Sequence, residues 1–389
     1  LKIARQIVVL LIGCAFLIGP WSNSDAGKTA SPRSASPAAQ KKFQIPSSSP
    51  CFAALSGGFV CTAANDEAVR LLQAHGFAGA VVVEDVRSGA LVAFASARAV
   101  STRASGDIPN SALSVTSPIL PLSIAKVFLA ASWWDHEAEA AASKTCKSRP
   151  CMTDAEVHEM LVTGSDAAGK RLALELRQAI GGERVLADLN GYGIPATVSK
   201  RNSPDTHFWG AIDLELREKL IPASAYVSVA RDAPDADWTS AFSIGETGFS
   251  VTLLHISRFL QTVGNGGVMM APIARTHAAT AREDRGAATP SGTERRVMLA
   301  STAKRLQSAM IENVERGTAS GIRGRMGDQW KIGGKTGTNS DPDGIFAGLV
   351  FDAAGVARYS FATYIKRGGK GGGVAAEVSA DVMKFIVGN

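Results

Sequence analysis

Residues 65–75 carry apolar side chains at helical spacing, and two runs rich in valine, leucine and alanine follow at 79–86 and 90–94, split by Arg87-Ser88-Gly89. β-branched side chains fit an extended backbone and a Ser-Gly pair supplies the turn, so this stretch predicts a helix followed by a β-hairpin. The pattern returns near the other end, where apolar runs at 345–351 and 356–365 flank Asp352-Ala353-Ala354-Gly355 and predict a second hairpin. Helical spacing then resumes over 374–387. Strands at both ends with helices between them predict an α+β fold, an antiparallel sheet flanked by helices with a mostly helical second lobe. No internal repeat interrupts this order.

The first residues follow a different pattern. Lys2 and Arg5 precede an apolar run over 7–21, and Ser24-Asp25-Ala26 follows with small residues at the spacing a signal peptidase reads. The run is shorter than the about 20 apolar residues of a comfortable membrane span. Residues 1–26 are therefore expected to be an export signal cleaved after Ala26 or a retained membrane anchor, and either outcome puts the rest of the chain outside the cytoplasm. Cys14 lies inside the run instead of at its end, which speaks against processing as a lipoprotein. Residues 27–50 are rich in Ala, Ser, Pro and Lys without hydrophobic periodicity and read as a tether, leaving residues 51–389 as one folded domain. Residues 278–293, rich in Ala, Arg, Gly and Thr, read as a long exposed loop.

Composition adds two exclusions. The 389 residues are 46% apolar, enough for a sizeable core, and 41 basic against 35 acidic residues leave a formal charge of only +6, spread along the chain. There is neither a clustered basic stripe with interleaved aromatics nor a Gly-x-Gly-x-x-Gly after a strand, so nucleic acid and dinucleotides are not among the expected partners. Beyond Cys14 the cysteines form two close pairs, Cys51 with Cys61 and Cys146 with Cys151, and two short-loop disulfides are the simplest reading in an exported chain. A four-cysteine zinc site is the other reading, against which neither pair has the usual zinc-cluster spacing. None of the six histidines sits in a ligand pattern, and neither a metal nor an organic cofactor is implied.

Two motifs carry chemistry. In Pro121-Leu122-Ser123-Ile124-Ala125-Lys126 a serine and a lysine stand three apart where an apolar helix begins, so hydroxyl and amine share one face a turn apart. An amine lowered in pKa by burial can take the serine proton, and the helix N-terminus offers N–H groups to a developing oxyanion. By itself the pair also fits a helix cap beside a solvated lysine. The second motif is Lys331-Ile332-Gly333-Gly334-Lys335-Thr336-Gly337-Thr338, a strand ending in Lys-Thr-Gly-Thr. Its glycine lets a substrate backbone approach, and the lysine and threonines can bind a carboxylate. A phosphate-binding loop is excluded because its frame would need glycine where Gln329 stands.

Taken together these motifs resemble the penicillin-binding proteins and serine β-lactamases, which carry S-x-x-K and K-T-G in this order on one fold. The resemblance runs on through Ser243-Ile244-Gly245-Glu246, Val251-Thr252-Leu253-Leu254, Asn265-Gly266-Gly267-Val268 and Gly317-Thr318-Ala319, from about Gly79 to the C-terminus. It implies Ser123 as the nucleophile, Lys126 as its base, and Lys335, Thr336, Gly337 and Thr338 as the wall of a carboxylate slot. It implies an oxyanion hole from the N–H groups of Ser123 and Thr338. The implied substrates are D-Ala-D-Ala stem peptides of peptidoglycan, with β-lactams as covalent inhibitors and a glycosyltransferase as a partner enzyme.

The chain departs from the family at its middle S-x-N motif, where it reads Thr163-Gly164-Ser165-Asp166-Ala167. Either Ser165 is the motif serine and Ala167 replaces the asparagine, or Asp166 stands for the asparagine and Gly164 replaces the serine. Ser165 is carried as a catalytic candidate and Asp166 as a substrate-binding one, with a helix-cap pair as the alternative. Two other activities share this fold. A β-lactamase would need a base for rapid deacylation, which Asp213-Leu214-Glu215-Leu216-Arg217 resembles only faintly, and an impaired β-lactam sensor or scaffold would account for the altered motif.

Overall fold

The computed structural model describes residues 47, 49–51, 53–54, 60–98, 115–142, 151–194, 211–212, 226–227, 234–246, 248–274 and 294–388. All belong to one unit, Ile45–Asn389. The expected export signal, most of the tether, Cys146, the segment 213–217 and the loop 278–293 lie outside the described residues.

Five antiparallel strands form the main sheet: β1 (Gly79–Asp85), β2 (Leu91–Ala97), β3 (Trp330–Thr338), β4 (Gly344–Asp352) and β5 (Ala357–Ile365). Their order is β2-β1-β5-β4-β3. Both expected hairpins are present, β1 with β2 and β4 with β5, and the N-terminal hairpin joins the C-terminal one where Val82 of β1 opposes Ala362 of β5. β1 and β4 are buried along nearly their whole length, so they read as continuous apolar runs without in-out alternation. The order leaves β3, the strand of the Lys-Thr-Gly-Thr motif, at one edge of the sheet.

Eight helices of two turns or more accompany the sheet among the described residues: α1 (Thr62–Ala74), α2 (Ala125–Asp135), α3 (Asp154–Thr163), α4 (Asp166–Ile180), α5 (Gly182–Gly191), α6 (Leu253–Gly264), α7 (Ala300–Arg316) and α8 (Ala376–Val387). The helix expected at 374–387 begins at Ala376, because Gly371–Ala375 forms a wider irregular turn. Ser257 of α6 meets Ser360 of β5, whereas Ser379 of α8 meets Thr363. Ser360 and Thr363 are three apart on one strand and point to opposite faces, so α6 and α8 cover opposite sides of the sheet.

The helical lobe gathers round α2. Every residue from Ala125 to Trp134 is buried, as expected of a helix apolar on all sides. α3, α4 and α5 pack against it, and Phe128 makes an edge contact with Phe259 of α6 at 4.8 Å between ring centres. The Cys51–Cys61 disulfide is formed, and Cys151 is disulfide-bonded as well. Among the described residues no helix is long and apolar enough to cross a membrane.

Candidate active site

A single 3-10 turn, Leu122–Ile124, leads into α2 and carries Ser123 at the sheet's open edge. Leu122 has φ +51°, a left-handed backbone that costs a non-glycine residue on the order of 1–3 kcal/mol. It is held there by its N–H, which donates to the Gly245 carbonyl at 3.2 Å. The Ser-Ile-Gly segment of the sequence thus braces the residue before Ser123.

Lys126, one turn further on, is wholly buried. Its Nζ lies 2.8 Å from Ser123 Oγ, 2.5 Å from Asp166 Oδ1 and 3.3 Å from the Gly164 carbonyl. Burial pushes the amine below the ordinary lysine range, and the hydrogen bond and charge of Asp166 work in the opposite direction. Room for its stem comes from Gly169 inside α4, where a Cβ would stand 2.7 Å from Lys126 Cε.

Asp166 is brought to Lys126 by the junction of two helices. α3 ends at Gly164 in a left-handed C-cap (φ +76°), and α4 starts at Asp166. Ser165 between them is the N-cap of α4, its Oγ accepting from the Ala168 N–H at 3.2 Å. Of Ser165, expected as a catalytic candidate with a helix cap as the alternative, the structure shows the cap, and the residue lines a groove of about 560 Å³ with Met152, Glu156, Met160, Thr163 and Arg171. Of the two alignments left open by the sequence, the one that joins the cluster has Asp166 in the asparagine place and Gly164 in the serine place. A Cβ on Gly164 would lie 3.5 Å from Lys335 Nζ, so a hydroxyl is missing at a point that borders both lysines.

β3 forms the opposite wall. Lys335 is buried, and its Nζ donates to the Thr336 carbonyl at 3.1 Å. Burial takes its pKa down to about 7, with the nearby Lys126 adding to the fall and Asp166 opposing it. Gly337 is glycine because β3 passes so close to Ser123: a Cβ there would lie 2.9 Å from Leu122 Cβ and 3.3 Å from Ser123 N. Thr338 Oγ1 accepts from the Gly371 N–H at 2.9 Å, and Thr336 Oγ1 lies 2.5 Å from Thr318 Oγ1.

Of the residues expected from the sequence, Ser123, Lys126, Asp166, Lys335, Thr336, Gly337 and Thr338 are brought to one cleft between the start of α2 and the edge of β3. Leu122, Gly169 and Asn313 were not singled out. Asn313 had a readable signal, an amide on the buried stripe of a helix next to Met310 and Val314.

The arrangement can move a proton from Ser123. A neutral lysine amine has two hydrogens and one lone pair. Directed at Asp166 Oδ1 and Gly164 O, the two hydrogens leave the lone pair facing Ser123 Oγ. After transfer, the ammonium retains the same carboxylate and carbonyl as partners.

Residues 226–384 match the family model described as the penicillin binding protein transpeptidase domain, a span that contains Lys335 to Thr338 and begins after Ser123 and Lys126. No curated protein matches the chain in sequence. Among solved structures, Pseudomonas aeruginosa PBP2 in complex with WCK 5153 superposes with TM-score 0.60 at 17% identity, covering 84% of this chain and 74% of that one. The imipenem acyl-enzyme of penicillin-binding protein A from M. tuberculosis gives 0.57 at 17% identity, with 82% and 77% covered. The transpeptidase domain of the FtsI4 D,D-transpeptidase from Legionella pneumophila gives 0.51 at 17% identity, with 83% and 94% covered. At such identities these likenesses show the fold, and with the match over residues 226–384 they lead to one conclusion: the described residues adopt the fold of a penicillin-binding protein transpeptidase domain.

Proposed function

We propose that this protein is a serine acyltransferase that cleaves the D-Ala-D-Ala ends of peptidoglycan stem peptides through an acyl-enzyme at Ser123. The observation that carries the reading is the placement of the buried Lys126 amine, 2.8 Å from Ser123 Oγ with its other contacts on Asp166 and Gly164. Ser123 Oγ attacks the carbonyl of the penultimate D-Ala while its proton passes to Lys126. The oxyanion is received by the N–H groups of Ser123 and Thr338, an arrangement worth about 3–4 kcal/mol per donor in other enzymes. Lys335, Thr336 and Thr338 hold the terminal carboxylate, and the C–N bond breaks as a proton reaches the departing D-alanine. The acyl group then passes to an amine, as in cross-linking, or to water, as in a carboxypeptidase. A β-lactam enters by the same attack and remains on Ser123. Export through residues 1–26 puts this chemistry in the periplasm or at the outer face of the cytoplasmic membrane, where a glycosyltransferase supplies the glycan strands.

The test is release of D-alanine from an N-acylated Lys-D-Ala-D-Ala peptide, with and without a D-amino-acid acceptor. Release with a new amide to the acceptor supports transpeptidation, and release without it supports a carboxypeptidase. A second reading, a β-lactam-binding protein of low turnover, is favoured by Gly164, which leaves the cluster without the middle hydroxyl. It predicts a lasting penicillin adduct without release of D-alanine.

A further inference from the structure

Asn313, buried in the last turn of α7, links the end of α3 to Thr318, whose hydroxyl meets Thr336 of β3. Its Nδ2 lies 2.7 Å from the Val162 carbonyl and 3.2 Å from the Leu161 carbonyl, both in α3 just before the Gly164 turn, and 2.9 Å from Thr318 Oγ1. Backbone carbonyls only accept, so the amide nitrogen must face them, and this fixes the orientation of the side-chain amide. Its two hydrogens serve the two shorter contacts, the Val162 carbonyl and Thr318 Oγ1. The Thr318 hydrogen has two acceptors within reach, Thr336 Oγ1 at 2.5 Å and Asn313 Oδ1 at 3.4 Å, and the shorter contact is the stronger. Thr336 Oγ1 receives it. Thr336 then retains a hydrogen of its own, with no other side-chain bond among the described residues, on the strand that faces Ser123.

We propose that Asn313 and Thr318 are positioning residues that set the direction of this hydroxyl chain, so that Thr336 presents a hydrogen to the cleft and selects an anionic acceptor, the terminal carboxylate. The inference rests on the acyl-transfer reading and deepens it. Successive hydrogen bonds in a buried chain polarise one another, so a distant amide sharpens the charge preference of the last hydroxyl. The sense of the chain is forced from its far end by two carbonyls that cannot donate.

The test compares second-order acylation of Ser123 by a penicillin and by its neutral methyl ester in the unaltered protein, Thr318→Val and Thr318→Ser, with thermal unfolding followed in parallel. Valine keeps the shape and removes the hydroxyl, so the acid-over-ester ratio should fall roughly tenfold. Thr318→Ser should restore the ratio to within about threefold of the unaltered protein, which a merely structural role for the threonine would not require. Thr318→Ala serves should valine unfold the protein. An unchanged ratio in a folded, acylating variant overturns the inference while leaving the acyl-transfer reading intact. Failure of the unaltered protein to be acylated by either compound overturns that reading and the inference with it.

Discussion

The two walls of the cleft each bury a lysine, and they treat it differently. On the α2 side Lys126 has a carboxylate at 2.5 Å, whose hydrogen bond and charge oppose the lowering caused by burial. On the β3 side Lys335 makes its hydrogen bond to a carbonyl, and its pKa falls to about 7. Burial acts on both, and it is opposed at Lys126 by the adjacent carboxylate but deepened at Lys335 by the charge of Lys126. In the proposed reaction Lys126 receives a proton and keeps it beside Asp166, whereas Lys335, with a pKa of about 7, meets the incoming anion. The Gly164-Ser165-Asp166 turn thus bears on both walls, setting Asp166 against Lys126 and leaving the space beside Lys335 without a side chain.

Removing the Lys126 amine, the proposed base, breaks the comparison most severely. Lys126→Met should slow acylation of Ser123 by about a thousandfold, read from the rate of fluorescent-penicillin labelling. Crowding the β3 wall comes next. Gly337→Val puts a branched side chain where even a Cβ would lie 2.9 Å from Leu122 Cβ, and displacing the strand from the nucleophile should cost about a hundredfold in the same assay.

The lysine difference itself is sharpened by pH. Lys335 is cationic below its pKa of about 7 and neutral above it, so affinity for a carboxylate ligand should weaken as pH rises through that value, by up to about tenfold per unit. Calorimetric titration of a D-Ala-D-Ala peptide into Ser123→Ala protein measures this, and an affinity constant from pH 6 to 8.5 would contradict it. The smallest effect is expected from Asp166→Asn. Asp166 raises the pKa of Lys126, so its loss should move the onset of acylation to lower pH and raise the rate at neutral pH about threefold. A pH profile that stays in place would show that the carboxylate does not act on the base.

Much of this was legible without coordinates. The two hairpins were announced by β-branched runs around turn residues, and Ser123 and Lys126 by a three-residue spacing that helical geometry converts into contact. The middle turn was not legible, because Ser165-Asp166 serves equally as a helix cap and as a site pair. What separates them is the left-handed backbone of Gly164, which ends α3 and swings Asp166 toward Lys126 while Ser165 caps α4. Leu122 escaped notice since a positive φ at leucine is imposed by its contact with Gly245 and has no mark in composition. Asn313 carries a local signal, an amide on a buried helix stripe, but its partners Leu161 and Val162 lie some 150 positions away, so its role has no mark in the local pattern.

The most direct test of the central claim is intact mass followed by peptide mapping after incubation of the folded protein with a penicillin. The account predicts one adduct with the mass of the intact drug, on the peptide that contains Ser123, and none in Ser123→Ala. An adduct at another residue, or neither adduct nor hydrolysed drug from protein with an intact unfolding transition, would contradict it.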